Sequence, residues 1–180
     1  DAGEVDPRLD ASIGRDGQPW LNGELFSASW SPTGYLTKKH QQPLSEISSS
    51  LKGDGDLNYI YMRYADVLLM KAEAFSETNN ADSARANLNK VRQRARLSYN
   101  GTPPDDLLQD VTTSDNNELK TAIRKERRVE LAQEFHRYFD LMRWGKSVAE
   151  AALGPDFNYE TKRYLPIPQA EIDANQAINP

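Results

Sequence analysis

Cysteine is absent from the 180-residue chain, which excludes disulfide bonds, a catalytic thiolate and cysteine-bound zinc. Histidine occurs only at His40 and His136, and neither lies in a spacing that is typical of a metal centre. Long apolar runs are lacking as well, since no stretch approaches the roughly 18 residues of a membrane span. We therefore expect no metal, no cofactor and no membrane-spanning helix.

Two further motif classes are missing. The chain carries no glycine-rich phosphate loop and no G-x-S-x-G, so nucleotide binding and serine hydrolysis are not indicated. Asp54 and Asp56 resemble the start of a calcium loop, but the twelfth position is Ala65 instead of glutamate, which favours a plain turn. A net charge of −5 also argues against a dedicated nucleic-acid binder.

Glycine and proline are concentrated at the beginning of the chain. Residues 1–57 contain seven of the ten glycines, and this punctuation forbids long helices. We expect loops with one or two short strands, for instance around residues 34–39. This loop-rich segment is predicted to form part of a ligand-binding face.

From residue 58 to residue 180 the pattern becomes helical. Apolar steps of three and four residues predict a first helix, whose stripe comprises Ile60, Tyr64, Val67, Leu68, Lys71, Ala72 and Phe75. Asp82 is a candidate N-cap for a second helix. Small residues mark the expected close approach of the two helices, namely Ala72, Ala74, Ala84 and Ala86. Residues 60–96 thus match a tetratricopeptide-type pair, which needs flanking pairs to bury its faces.

The later helices are marked by their ends. Asp115 followed by Glu118 predicts an N-cap with a capping-box partner for a third helix, which runs to about Phe135. A fourth helix is expected over Arg137–Trp144, with Gly145 as its C-cap. Two short helices are expected over residues 147–153 and 168–173, the second started by a proline. The predicted fold class is mainly α-helical, with tetratricopeptide-like pairs and long irregular loops.

The stretch from residue 124 to residue 145 is dense in charge and open to three interpretations. Glu126, Glu130 and Glu134 lie one turn apart, whereas glycosidase carboxylates face each other across a cleft. Acidic residues interleave with the basic ones, which disfavours nucleic acid. The spacing favours a structural charge network with no catalytic residue, comprising Arg127, Glu130, Arg137, Asp140 and Arg143.

Three aromatic residues stand in the glycine- and proline-rich loops instead of on a helical stripe: Trp20, Trp30 and Tyr35. Flat aromatic rings displayed on loops can stack on the apolar faces of sugars. The same rings could equally anchor the loops to the helical body. Both interpretations remain open at this point.

Four stretches together resemble the C-terminal portion of the SusD/RagB family: "DPRLDASIGRDGQPWLNG", "MRYADVLLMKAEAFSE…ARANLNKVRQRA", "LKTAIRKERRVELAQEFHRYFDLMRWG" and "YLPIPQAEID". The resemblance implies a helical scaffold in a non-enzymatic protein that captures oligosaccharides, or in some cases peptides, at the outer-membrane surface. It implies a SusC-like TonB-dependent transporter as partner, and a membrane anchor consisting only of a lipidated N-terminal cysteine. Nucleic acid is not an expected partner.

The resemblance also implies that the chain is a C-terminal portion of a longer protein, because the family's lipid-bearing cysteine and N-terminal half are not matched. Several of the family's ligand-contacting aromatics belong to that half, so Trp20, Trp30 and Tyr35 are proposed from loop placement alone. The alternative function is a helical-repeat module that binds a protein or peptide and no sugar.

Overall fold

The computed structural model describes residues 5–47, 57–175 and 177. The predicted turn at Asp54 and Asp56 lies outside these residues. The described chain divides into two compact units, Asp1–Phe135 and His136–Pro180. Each unit is presented by itself.

The beginning of the first unit consists of loops around a small sheet. Helix α1 (Arg8–Ser12) leads into strand β1 (Ile13–Gly14), which pairs antiparallel with strand β2 (Leu36–Thr37). Three 3₁₀ turns interrupt the loops, at Leu21–Gly23, Ala28–Trp30 and Leu44–Glu46. A short strand was predicted around residues 34–39, and β2 confirms it.

Helices α2 (Tyr64–Glu77) and α3 (Ala81–Leu97) follow as a tight pair. Asn79 has a left-handed backbone, with φ of 58°, and this ends α2. Asn80 is the N-cap of α3, because its side chain accepts a bond from the Ser83 amide. The predicted cap, Asp82, is wrong: it lies within the first turn and pairs with Arg85. The chain has already entered the helix before Asp82, so its side chain has no capping role.

The core of this unit lies between α2, α3 and helix α4 (Asn116–Glu130). Six side chains are fully buried there, namely Leu69, Ala72, Ala84, Leu88, Leu119 and Ile123. Burying one leucine completely is worth about 1.5–3 kcal/mol. Ala72 and Ala84 confirm the predicted close approach, whereas Ala74 and Ala86 are exposed, contrary to the prediction.

The inward face of α2 differs from the predicted stripe. Its buried side chains are Asp66, Leu68, Leu69, Ala72 and Ser76. Tyr64 and Val67, which the apolar spacing placed inward, are 72% and 38% exposed. The small side chains at 72 and 76 allow the neighbouring helices to approach, and this packing selects the buried face.

Helix α4 begins as predicted and ends earlier. Asp115 is its N-cap and accepts bonds from the amides of Asn117 and Glu118. In a capping box the Glu118 side chain would bond to the amide of the N-cap residue. Here Thr113 lies between them: its hydroxyl accepts a hydrogen bond from the Asp115 amide and donates one to the Glu118 carboxylate. The predicted extension to Phe135 is wrong, because the φ angles of 65° and 63° after Glu130, at Gln133 and Phe135, are not helical.

In the second unit the structure describes four further helices: α5 (Arg137–Trp144), α6 (Lys146–Leu153), α7 (Tyr159–Lys162) and α8 (Gln169–Ala174). Gly145 and Gly154 end α5 and α6 with φ of 97° and 91°, which glycine adopts without strain. The predicted bounds of α5 are confirmed. Pro168 stands at the N-cap of α8.

The architecture confirms the predicted fold class, which is mainly α-helical with long irregular loops. No helix in the part of the chain that the structure describes has both the length and the apolar character to cross a membrane.

Candidate functional site

The loop between β1 and the second 3₁₀ turn folds back on itself. The Gly17 amide donates to the Phe26 carbonyl at 2.8 Å, and the Phe26 amide donates to Gln18 at 2.9 Å. Near the tip, the Trp20 amide donates to the Glu24 carbonyl at 2.7 Å. These backbone bonds bring Trp20 against Phe26, although six positions separate them in sequence.

Three aromatic rings then meet in one group. The ring centroids of Trp20 and Phe26 are 5.1 Å apart, and Phe26 meets Trp30 edge-on at 5.3 Å. Phe26 is almost fully buried, while Trp30 is 49% exposed. A Cβ at Gly14 would lie 2.5 Å from Trp20, so glycine is required for this close approach.

Trp20 and Trp30 line a cavity of about 450 Å³. Its polar lining includes four side chains that can exchange hydrogen bonds with hydroxyl groups, namely Asn22, Glu24, Gln41 and Gln42. Apolar ring faces beside a few amide and carboxylate groups are the chemistry that a sugar ring requires. Sequence reasoning missed these four residues, and their only local signal is polar side chains in a loop that contains proline.

Tyr35 does not belong to this cavity. It is 57% exposed and lines a different cavity with Arg15, Thr33 and Gln133. The structure therefore brings together two of the three aromatic residues predicted to bind carbohydrate. For Trp20, packing against Gly14 and Phe26 also matches the loop-anchoring interpretation.

A buried ionic cluster forms where the N-terminal segment meets the end of α4. Glu126, Glu130 and Glu134 are 3%, 2% and 8% exposed. Among the described residues, their basic partners are Arg8, Lys39, Arg63, Arg92 and Arg94. We call these eight residues, with Asp6 beside Arg8, the ionic cluster.

The pKa values of Glu130, Glu134 and Arg8 in the ionic cluster are shifted in the direction that favours their charged forms. Burial by itself would raise the pKa of Glu130, but hydrogen bonds from Arg63 and Arg8 outweigh it and hold that pKa below its ordinary value. The pKa of Glu134 is likewise lowered, with burial opposed by Arg63 and Lys39. The pKa of Arg8 is raised, because its carboxylate bonds outweigh its desolvation.

The other residues of the predicted charge network also make polar contacts. Arg127 bonds to Asp66 of α2 at 2.8 Å, so its ion pair joins two helices. In the second unit, Arg143 pairs with Asp140 at 2.9 Å, and Arg137 lies 5.7 Å from the centre of the Trp144 ring. Arg137, Asp140 and Arg143 thus remain a proposed structural network within that unit.

His136 directly precedes α5, and its side chain makes no capping bond to that helix. Within the residues described, no group of three or more histidine, cysteine, aspartate or glutamate side chains is arranged to hold a metal ion.

Two curated relatives of this chain are both named SusD-like proteins. SusD-like protein P2 of Formosa agariphila is 38% identical over 137 residues, which are 71% of this chain and 26% of that protein. SusD-like protein P25 of the same organism is 33% identical over 74% of this chain and 25% of its own length. The chain thus spans about a quarter of the length of the curated relatives it matches.

Solved structures show the same fold. A SusD-like protein from Bacteroides fragilis is 33% identical, with a TM-score of 0.57 over 77% of this chain and 28% of that one. A SusD superfamily protein from Bacteroides vulgatus has a TM-score of 0.69 at 24% identity, covering 96% of this chain and 38% of that structure. The model of the SusD family matches residues 1–154. On this match and the curated relatives, the chain belongs to the SusD family.

Proposed function

We propose that this chain is part of a non-catalytic protein that binds glycans at the cell surface. It delivers oligosaccharide to a TonB-dependent outer-membrane transporter of the SusC type. Membership of the SusD family supports this role. In this proposal the parent protein is a lipoprotein of the outer membrane, and its lipid anchor lies outside the present chain.

The cavity beside Trp20 and Trp30 is the observation that carries the proposal. Trp30 is half exposed, so a sugar ring can reach its face without unfolding the loop. Asn22, Glu24 and Gln41 stand on the same cavity and can exchange hydrogen bonds with sugar hydroxyls. Residues 1–57 would then supply a ligand-binding face, and the helices would hold the loops in place.

The lowered pKa values and the ion pairs of the buried carboxylates support a protein that binds glycans without catalysis. A glycosidase needs one carboxylic acid with a raised pKa opposite a second carboxylate. In this chain the pKa values of Glu130 and Glu134 are lowered, and arginine or lysine holds both groups. Their geometry suits a structural role.

Affinity electrophoresis through gels that contain single polysaccharides tests the proposal. We expect at least one polysaccharide to retard the protein, and Trp30→Ala to abolish that retardation by removing the stacking face. The matched control is Phe139→Ala, because Phe139 is an exposed aromatic residue in the second unit, with 61% of its surface accessible. Circular dichroism checks that both variants keep the helicity of the unsubstituted chain.

The outcomes separate the two candidate functions. If Trp30→Ala is retarded as strongly as the unsubstituted chain on every polysaccharide that retards that chain, the cavity is not the glycan site. If no polysaccharide retards even the longer protein, a helical-repeat module that binds a protein or peptide becomes the better explanation. The same measurement on Tyr35→Ala tests that residue separately, since Tyr35 lines a different cavity.

A further inference from the structure

A cavity of about 340 Å³ lies beside the ionic cluster, within the first unit. Members of the ionic cluster line part of it, among them Lys39, Arg63 and Glu134. Leu57 and Ile60 also line the cavity and are 49% and 57% exposed, so it can be entered from solvent beside them. Its volume falls within the range of about 300–1,000 Å³ that is typical of small-molecule sites.

Two buried polar atoms of this cavity have no hydrogen-bond partner among the protein groups that the structure describes. Ser12 is 2% exposed, and its Oγ atom is buried and unpartnered. The Nε2 atom of His40 is likewise buried and unpartnered, and both residues line the cavity. Buried polar atoms in proteins are normally hydrogen-bonded, so these two atoms indicate a molecule in the cavity that bonds to them.

The His40 ring is held in place by two aromatic neighbours. Its centroid lies 5.1 Å from the Tyr59 ring and 6.1 Å from the Phe135 ring, and both pairs are stacked. His40 and Phe135 have left-handed backbones, with φ of 62° and 63°. Such strain in residues other than glycine is concentrated at functional sites. The position of Nε2 is therefore fixed in advance, which lowers the entropic cost of binding a ligand there.

The charged groups of the cavity disfavour an ionic ligand. Lys39 Nζ donates to Glu134 at 2.6 Å, and Arg63 Nε donates to the same carboxylate at 2.7 Å. These cations are thus already paired, and an anionic ligand would lie beside the carboxylates of Glu130 and Glu134. A charged ligand would also have to lose its hydration, which costs free energy unless a paired charge compensates it.

The neutral lining fits a ligand that carries hydroxyl groups. A hydroxyl both donates and accepts, so it can bond to Ser12 Oγ and to either tautomer of His40. Asn58 adds an amide that can exchange further hydrogen bonds, while Leu57 and Ile60 supply apolar surface. A sugar ring combines several hydroxyls with apolar C–H faces and therefore matches this lining.

We propose that this cavity is a second ligand site, which binds one neutral sugar ring through the Ser12 hydroxyl and the Nε2 atom of His40. As far as the chain is described, its lining has no residue in common with that of the cavity beside Trp20 and Trp30. The second ligand site therefore does not require the stacking face of Trp30, and it remains testable if that face binds no glycan.

Nuclear magnetic resonance titration of the isotope-labelled chain with single monosaccharides tests the second ligand site. Glucose, galactose, mannose and xylose are the neutral probes, and glucuronate is the acidic one. We expect at least one neutral sugar to shift the amide signals of Ser12, Asn58 and Ile60 in a saturable way, and glucuronate to bind more weakly. Absence of saturable shifts with every neutral sugar, or tighter binding of glucuronate, would overturn the proposal.

Ser12→Ala separates ligand binding from a structural role of the hydroxyl. Because Ser12 Oγ has no partner among the described protein groups, its removal should not lower the melting temperature of the sugar-free chain. The affinity for the sugar should fall about fivefold, which is the usual effect of one lost hydrogen bond. The matched control is Ser147→Ala, at an exposed serine of the second unit, and it should change neither quantity.

His40→Phe provides an independent variant, since it keeps a flat ring between Tyr59 and Phe135 and removes Nε2. It should weaken sugar binding to a similar extent. Unchanged affinity in both variants would contradict the proposal. A lower melting temperature of Ser12→Ala with unchanged affinity would assign the hydroxyl to the fold and would likewise overturn its role in binding.

Discussion

Glu130 shows how much of this protein's charge chemistry serves the fold. Its carboxylate is 2% exposed and lies within hydrogen-bonding distance of Arg8, Arg63 and Arg94. Arg8 in turn is held by Asp6 through its Nε and Nη2 atoms. Each of these carboxylates therefore has positively charged partners, and removal of the Glu130 carboxylate would leave guanidinium groups without compensation at a buried position.

Glu130→Gln should lower the free energy of unfolding by about 3–5 kcal/mol, since it removes one partner of a buried ion pair. Urea titration followed by circular dichroism measures the change. The matched control is Glu77→Gln, because Glu77 is 56% exposed and pairs with Lys120. That variant should lose at most about 1 kcal/mol. A loss for Glu130→Gln no larger than the control would contradict a structural role.

At the scale of elements, the ends of the helices depend on single side chains. Asp115 accepts from two amides in the first turn of α4, both at 2.9 Å. Thr113 completes this N-terminus by linking the Asp115 amide to the Glu118 carboxylate. Helix α4 carries Glu126 and Glu130, so its stable start helps to hold the ionic cluster in register.

Asp115→Ala should cost about 0.5–2 kcal/mol, since the first turn of α4 loses both capping bonds. Asp115→Asn should restore most of this loss, because asparagine keeps the accepting oxygen at the N-cap. Thermal and urea unfolding of the three proteins provide the comparison. Equal stability of the parent and Asp115→Ala would show that the cap contributes nothing in this context.

On the scale of the whole molecule, the ionic cluster joins parts of the first unit that lie far apart in sequence. Arg8 reaches Glu126 and Glu130 across 118 and 122 positions. Arg63, just before α2, bonds to Glu134 at 2.7 Å, and Arg92 of α3 bonds to Glu126 at 2.7 Å. The N-terminal segment, the residue that precedes α2, and helices α3 and α4 thus share one network.

Acid should therefore unfold the first unit through this network. The pKa values of Glu130 and Glu134 are lowered from an ordinary value of 4.5. Below about pH 4.5 the unfolded state therefore binds more protons than the folded state does. The stabilisation by these two carboxylates is complete above that pH and is lost as the pH falls through their lowered pKa values. Urea titrations from neutral to acid pH should show the loss, and Glu130→Gln should show a shallower decline. Parallel curves for the two proteins would exclude Glu130 as a contributor.

Local features of the sequence were enough to predict several elements. The bounds of α5, the N-cap at Asp115 and the C-cap at Gly145 were all predicted, because capping and left-handed geometry depend on residues close in sequence. Family membership was also predicted, from the order and spacing of motifs along the chain. Each of these properties involves short sequence separations or simple order.

The tertiary structure decided the features that depend on distant partners. Periodicity marked an apolar stripe on α2, but α2 has apolar residues on both faces, and only the packing of α3 and α4 selected the inward one. Backbone bonds within the loop brought Trp20 and Trp30 to one cavity, and the fold left Tyr35 at another. Likewise, the spacing of charges along α4 indicated pairing, but Arg8, Arg63 and Arg94, which pair with Glu130, come from other segments. A buried carboxylate pairs with the cations that lie close to it in the folded chain, and these can be distant in sequence.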